Sequence, residues 1–259
     1  SAPSNVLLLR KVDFKSFFEE NKLPDNITSY TVKHNNVATN QVVADSSEAV
    51  DGEDVDVYYL DVGQADSILV QSNGMNMLID AGTNDMGKTV VRDLQALGIK
   101  KIDVLIGTHP HEDHIGGLDD VIKNFDIGTI YMPKVQTNTK TFEDVLDAIN
   151  EKGLKITSPE VGYKFNIGNA ICEVMNCGTG TSEEKSNLNL SSIVIRMTYG
   201  EQSFLFMGDA EKENEQSRTW TKVNVLKVGH HGSDTSSSVK FLEQVEPQIA
   251  IISVGFFFF

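Results

Sequence analysis

The chain has 259 residues, with a hydrophobic fraction of 40% and a charged fraction of 23%, a balance that allows one sizeable buried core. A membrane-spanning helix needs roughly 20 apolar residues, and runs such as 6–9 and 256–259 hold four each. The formal charge is −15 with no cluster of Lys and Arg, which argues against a dedicated nucleic-acid-binding surface but leaves a nuclease open.

Residues 1–54 carry no motif. A short helix is expected over 14–21, and 35–54, rich in Asn, Ser, Asp and Glu, reads as a flexible arm or linker. His34 lies there, far from the other histidines, as a surface residue. Ser1 in place of Met predicts that a leader has been removed.

Strands are expected at 55–62, 67–71 and 76–79, with Ser72-Asn73-Gly74 as the hairpin turn between the last two. Three strands joined by tight turns predict an antiparallel start to a sheet. Val90, Val91, Leu94 and Leu97 have helical spacing, and Gly98 is the stop. A buried strand at 102–107 follows, then a helix near 118–125 and a strand at 129–132 ended by Pro133. Phe142, Val145, Leu146 and Ile149 form one apolar stripe, stopped at Gly153.

Further strands are expected at 163–167 and 170–175, then a polar loop over 177–185. A hairpin of 192–198 and 203–207 turns at Tyr199-Gly200-Glu201. A very polar, exposed helix is expected over 210–218, a buried strand at 223–228, a helix carrying Val239, Leu242 and Val245, and a last strand at 248–254. Cys172 and Cys177 are read as free thiols, with a disulfide as the alternative. Two runs of strands interleaved with amphipathic helices predict two packed sheets, covered by helices on both outer faces.

Between the strand at 102–107 and the helix that follows lies Thr108-His109-Pro110-His111-Glu112-Asp113-His114. Three of the six histidines fall within six positions. Imidazole and carboxylate are the usual ligands of borderline divalent cations, and several unpaired imidazoles buried together would be costly to desolvate. The spacing suits a loop that wraps two cations, at a strand-to-helix junction where such folds place chemistry.

His109-Pro110-His111-Glu112-Asp113-His114 resembles the H-x-H-x-D-H signature of the metallo-β-lactamase superfamily. Leu78-Ile79-Asp80-Ala81-Gly82, Gly208-Asp209-Ala210 and Gly229-His230-His231-Gly232-Ser233 match other pieces of it, in the same order. Asp61-Val62-Gly63-Gln64-Ala65-Asp66-Ser67 and Leu226-Lys227-Val228 narrow the likeness to the hydrolase domain of ComEC-type DNA-uptake proteins and their free-standing relatives. The resemblance covers 55–255 and implies a four-layer αββα sandwich with mixed sheets; 1–54 is left as an N-terminal arm, and the tail 256–259 departs from the family pattern.

It also implies a site at one rim where the sheets meet, with one cation on His109 and His111, a second on Asp113, His114 and a later histidine, and Asp209 bridging them. Of the later pair, His231 is assigned as the ligand and His230 as hydrogen-bond donor to substrate or general acid, with the reverse open. Asp80 is assigned to orienting a ligand or the water. Ser233 and the run 236–238 are read as capping the next helix, with phosphate binding as the alternative. Zinc is expected, with manganese as an alternative.

Many members of the superfamily supply another histidine to the first cation, and this chain has none between His114 and His230. Asn189 or Ser191, through water, is the candidate to fill that place, and the first site is expected to bind weakly and to be only partly occupied. The expected activity is metal-dependent hydrolysis by a metal-activated hydroxide, with a phosphodiester as substrate, nucleic acid among the possibilities. The alternatives are cleavage of a lactam, lactone or thioester, or a non-catalytic binding domain. A location outside the cytoplasm is the expectation.

Overall fold

The computed structural model describes residues 8–9, 27–32 and 54–255. One sheet has the spatial order β2 (Ile27–Val32), β3 (Val55–Leu60), β4 (Ile68–Ser72), β5 (Met75–Ile79), β6 (Lys101–Ile106), β7 (Asp126–Tyr131) and β8 (Ile156–Thr157). The other has the order β1 (Leu8–Leu9), β14 (Ile249–Ile251), β13 (Val225–Lys227), β12 (Gln202–Phe206), β11 (Val194–Tyr199), β10 (Ala170–Asn176) and β9 (Lys164–Ile167). β2 to β5 pair antiparallel and β5 to β8 parallel. β9 to β12 pair antiparallel, while β12, β13, β14 and β1 pair parallel. The segment read as an arm thus supplies an edge strand to each sheet.

Side chains alternate across each strand, and the central strands are buried on both faces. On β5, Met77 and Ile79 point between the sheets, where they meet Val70, Val104, Ile106, Ile195, Met197, Phe204 and Phe206. Leu78 points outward with Leu69, Ile102 and Leu105, beneath α1 (Gly87–Ala96), α3 (Leu118–Asn124) and α4 (Lys140–Glu151). On the second sheet, Leu205, Leu226 and Ala250 face outward beneath Trp220 and the Phe241 and Val245 of α7 (Val239–Val245). Helix, sheet, sheet and helix are therefore stacked in four layers, two mixed sheets flanked by helices.

Some local expectations differ. The polar loop over 177–185 contains α5 (Ser182–Ser186), entered through a capping box in which the Thr181 hydroxyl accepts from Glu184 N and the Glu184 carboxylate accepts from Thr181 N. The polar helix is shorter, α6 (Lys212–Gln216), and is not simply exposed. Its Asn214 and Glu215 are buried, and Glu215 accepts the N–H groups of Ser237 and Ser238. On α7 the inward stripe is Phe241 and Val245, with Val239 facing solvent; its N-cap is Ser238, which accepts from Phe241 N. Cys172 and Cys177 are free and buried. The helix expected over 14–21, His34 and the tail 256–259 lie outside the described residues.

Candidate metal centre

The parallel strands β5, β6, β12 and β13 all end at one rim, and each begins to deliver its part of the cluster within three residues of its end. β5 ends at Ile79 and gives Asp80, whose backbone is left-handed (φ 59°). β6 gives Thr108, His109 and His111, and the one-turn helix α2 (Glu112–Ile115) carries Asp113 and His114. β12 gives Asp209, and β13 gives His230 and His231. Two glycines let these loops close. A Cβ on Gly116 would lie 2.2 Å from Asn84 N, and one on Gly117 would lie 2.3 Å from the Ala81 carbonyl. That close approach is sealed by Ala81 N–H donating to the His114 carbonyl at 2.8 Å.

Four donor atoms converge, from Asp113, His114, Asp209 and His231, all within 4.8 Å of one another. His114 Nε2 is 3.2 Å from Asp209 Oδ1, and His231 Nε2 is 3.3 Å from Asp113 Oδ2 and 3.5 Å from Asp209 Oδ1. The two imidazole Nε2 atoms are 3.3 Å apart. On the other side of Asp209, Oδ2 lies 3.8 Å from His109 Nε2, which is 2.9 Å from His111 Nδ1. Asp209 therefore faces two groups, one through each oxygen. Its Oδ1 is buried and faces both imidazole Nε2 atoms. Two imidazoles with two carboxylates are the donor set of a divalent cation.

Behind this group Asp80, fully buried, accepts from Thr108 N (2.8 Å), Thr108 Oγ1 (2.7 Å) and His114 Nδ1 (2.8 Å). The last bond fixes the His114 ring with Nε2 toward the cluster. His231 is aimed likewise, its Nδ1 lying 2.9 Å from the Ser253 carbonyl. His230 and His231 both have left-handed backbones (φ 47° and 50°), a conformation that costs about 1–2 kcal/mol per residue without glycine and throws the two rings apart. His230 sits to the side, more exposed than His231. Its Nδ1 is 2.7 Å from Thr235 Oγ1 and 3.2 Å from Glu211 Oε1, and its Nε2 is 3.9 Å from Asp209 Oδ2.

The charges divide accordingly. Burial works against a charged His114, but Asp209 and then Asp80 outweigh it and hold its pKa well above the usual histidine value. Burial, then the neighbouring His114, push His109 well below that value, and burial also lowers His111. Burial would raise Asp209, but the charge and hydrogen bond of His114, then His109 and His231, hold it well below the ordinary carboxylate range. Asp113 is opposed by burial in the same way, and the His231 hydrogen bond and His114 bring it down to about 2. Asp80 is raised, chiefly by burial.

The residues assigned from the sequence as ligands or catalytic groups thus lie together at this rim: His109, His111, Asp113, His114, Asp209 and His231 line the two groups, Asp80 supports them and His230 stands beside them. The structure adds Thr108, which bridges Asp80 and His109 (Oγ1 to Nδ1, 3.1 Å). It adds Glu211, against His230. It also adds a buried ion pair between Lys227 Nζ and Asp66 Oδ2 at 2.7 Å, joining the two sheets beneath His231. Asp66 and Lys227 both fall inside motifs read from the sequence, yet no spacing rule pairs them. Glu211 carries no signal beyond lying two positions after Asp209.

The chain is similar over 222 residues to the ComE operon protein 3 of Bacillus subtilis, at 33% identity, covering 77% of this chain and 28% of that protein. It is similar over 208 residues to the Recombination protein 2 of Haemophilus influenzae, at 35% identity, covering 76% of this chain and 24% of that protein. It spans about a quarter of the length of these relatives. A solved structure from Parabacteroides distasonis superposes with a TM-score of 0.52 at 13% identity, covering 79% of this chain and 84% of that one, a likeness of fold alone. Residues 60–255 match the metallo-beta-lactamase superfamily, and the chain belongs to that superfamily, with ComEC-type competence proteins among its relatives.

Proposed function

We propose that this domain is a metal-dependent phosphodiesterase that works with two divalent cations. The observation that carries the reading is the convergence of Asp113, His114, Asp209 and His231, whose ligand atoms lie within 4.8 Å of one another around the buried Asp209 carboxylate. In this reading His109 and His111 would hold the first cation, Asp113, His114 and His231 the second, and Asp209 would serve both. Bound there, such a pair would supply charge to stabilise a substrate oxyanion and to acidify a water. Asp113 keeps a charged carboxylate on the substrate side of the second group, Asp80 orients His114, and His230 Nε2 is the partly exposed donor toward the leaving group. Two imidazoles with two carboxylates suit zinc, whereas the sparser first group admits manganese and binds more weakly.

A phosphodiester suits a doubly cationic clamp, and one relative is named a recombination protein, in keeping with a nucleic-acid substrate. The net charge of −15 then makes the cations themselves the attraction for an anionic substrate. The test is hydrolysis of bis(p-nitrophenyl) phosphate by chelated protein reloaded with Mn2+ or Zn2+. Chelation is expected to abolish activity, reloading to restore it, and His111→Ala to fail to recover it. Metal-loaded protein that cleaves a lactam or thioester but no phosphodiester would overturn the substrate class.

A further inference from the structure

The first group, with His109, His111 and one oxygen of Asp209, is a donor short of the second. Asn189 lies beside His111 and His230. It lies in a single turn over Leu188–Ser191 and is buried. Its Nδ2 donates to Glu211 Oε1 at 2.9 Å. A carboxylate only accepts, so this bond decides which end of the amide is which: nitrogen toward Glu211, oxygen away from it. Glu211 is itself fixed, since its Oε2 accepts from Asn187 Nδ2 at 2.8 Å and its N–H donates to Asn214 Oδ1 at 3.0 Å.

The Asn189 oxygen so presented is buried without a hydrogen-bond partner, a state native proteins rarely leave uncompensated. The amide adjoins His111, and its nitrogen is 3.5 Å from both ring nitrogens of His230. Ser191 is engaged elsewhere, its hydroxyl donating to the Leu188 carbonyl at 2.7 Å.

We propose that Asn189 Oδ1 is a direct ligand of the first cation, completing the set with His109, His111 and Asp209, and that Glu211 is the positioning residue that aims it. This rests on the two-cation reading above. An amide oxygen is a harder donor than the imidazole it stands in for, so the first position is biased toward Mn2+ over Zn2+ relative to the second.

The test is calorimetric titration of the chelated chain with Mn2+ alone. The wild type is expected to show two binding events. Asn189→Leu, which keeps the shape without the oxygen, and Asn189→Ala should each weaken one event about tenfold or more and leave the other nearly unchanged. Glu211→Gln should weaken the same event, and Asp113→Asn the opposite one. If Asn189→Leu does not fold, judged by circular dichroism, Asn189→Ala and Glu211→Gln decide. Two unchanged events in the Asn189 variants would overturn the assignment, as would an equal loss of both, which marks a structural role. A single event in the wild type also overturns it while leaving metal-dependent hydrolysis standing. No binding in the wild type removes both.

Discussion

At the scale of single residues, the site is a concentration of buried carboxylates held against imidazoles. Asp66, Asp80 and Asp209 are nearly or fully buried, and Asp113 is half-buried. The linkage for Asp113 follows from its shift. Its carboxyl is lowered from 3.8 to about 2 in the folded chain, so its contribution is fully present above the unfolded value and is lost as pH falls through the folded one. After allowance for its partial exposure, the effect is on the order of 1 kcal/mol. Urea unfolding of metal-free protein at pH 5 and near pH 2 should show the wild type losing about that much more stability than Asp113→Asn. Parallel losses in the two proteins would show that the His231 contact does not stabilise the fold.

At the scale of elements, the rim depends on how closely α2 and the loop after β5 approach. A Cβ at Gly116 would meet Asn84 N at 2.2 Å and the Glu112 carbonyl at 2.5 Å, both backbone atoms that cannot swing aside. Gly116→Ala is therefore expected to cost about 1–3 kcal/mol or more by overpacking and to displace Asp113 and His114 relative to Asp80. Urea midpoints and Mn2+ titration check this together; unchanged stability and unchanged metal affinity would show that the junction yields freely. The capping box of α5 teaches a related lesson. Thr181 and Glu184 are spaced as a helix start in the sequence, but the weak apolar pattern of Ser182–Ser186 hides the helix, since periodicity reports only the elements that bury a face.

At the scale of the whole molecule, the two sheets meet through an apolar layer and a buried Lys–Asp ion pair. Lys227 Nζ reaches across from β13 to Asp66 Oδ2 at 2.7 Å, and both side chains are almost fully enclosed. Removing one partner leaves a buried charge, which typically costs about 3–5 kcal/mol, whereas replacing both can be nearly neutral. Lys227→Met should thus be strongly destabilising in urea, and Asp66→Asn with Lys227→Met should recover most of the loss. A single variant costing under about 1 kcal/mol would show that the pair does not fasten the sheets.

The sequence by itself determined the layer architecture and most of the site. Alternating and continuous apolar runs mark strands that bury one or both faces, so 55–79, 102–107 and 203–207 were legible as sheet, and helical stripes such as Phe142, Val145 and Ile149 marked the covering helices. The histidines and aspartates were legible because their residue types and local spacing are themselves chemical statements. Tertiary structure alone decided the rest. It separated His231 from His230 through two left-handed residues that send adjacent rings to different partners. It joined Asp66 to Lys227 and Glu211 to Asn189, and left the Asn189 oxygen buried without a hydrogen-bond partner. Those pairings are made by folding distant segments onto one rim, and no local period or spacing encodes which buried polar atom will find which partner.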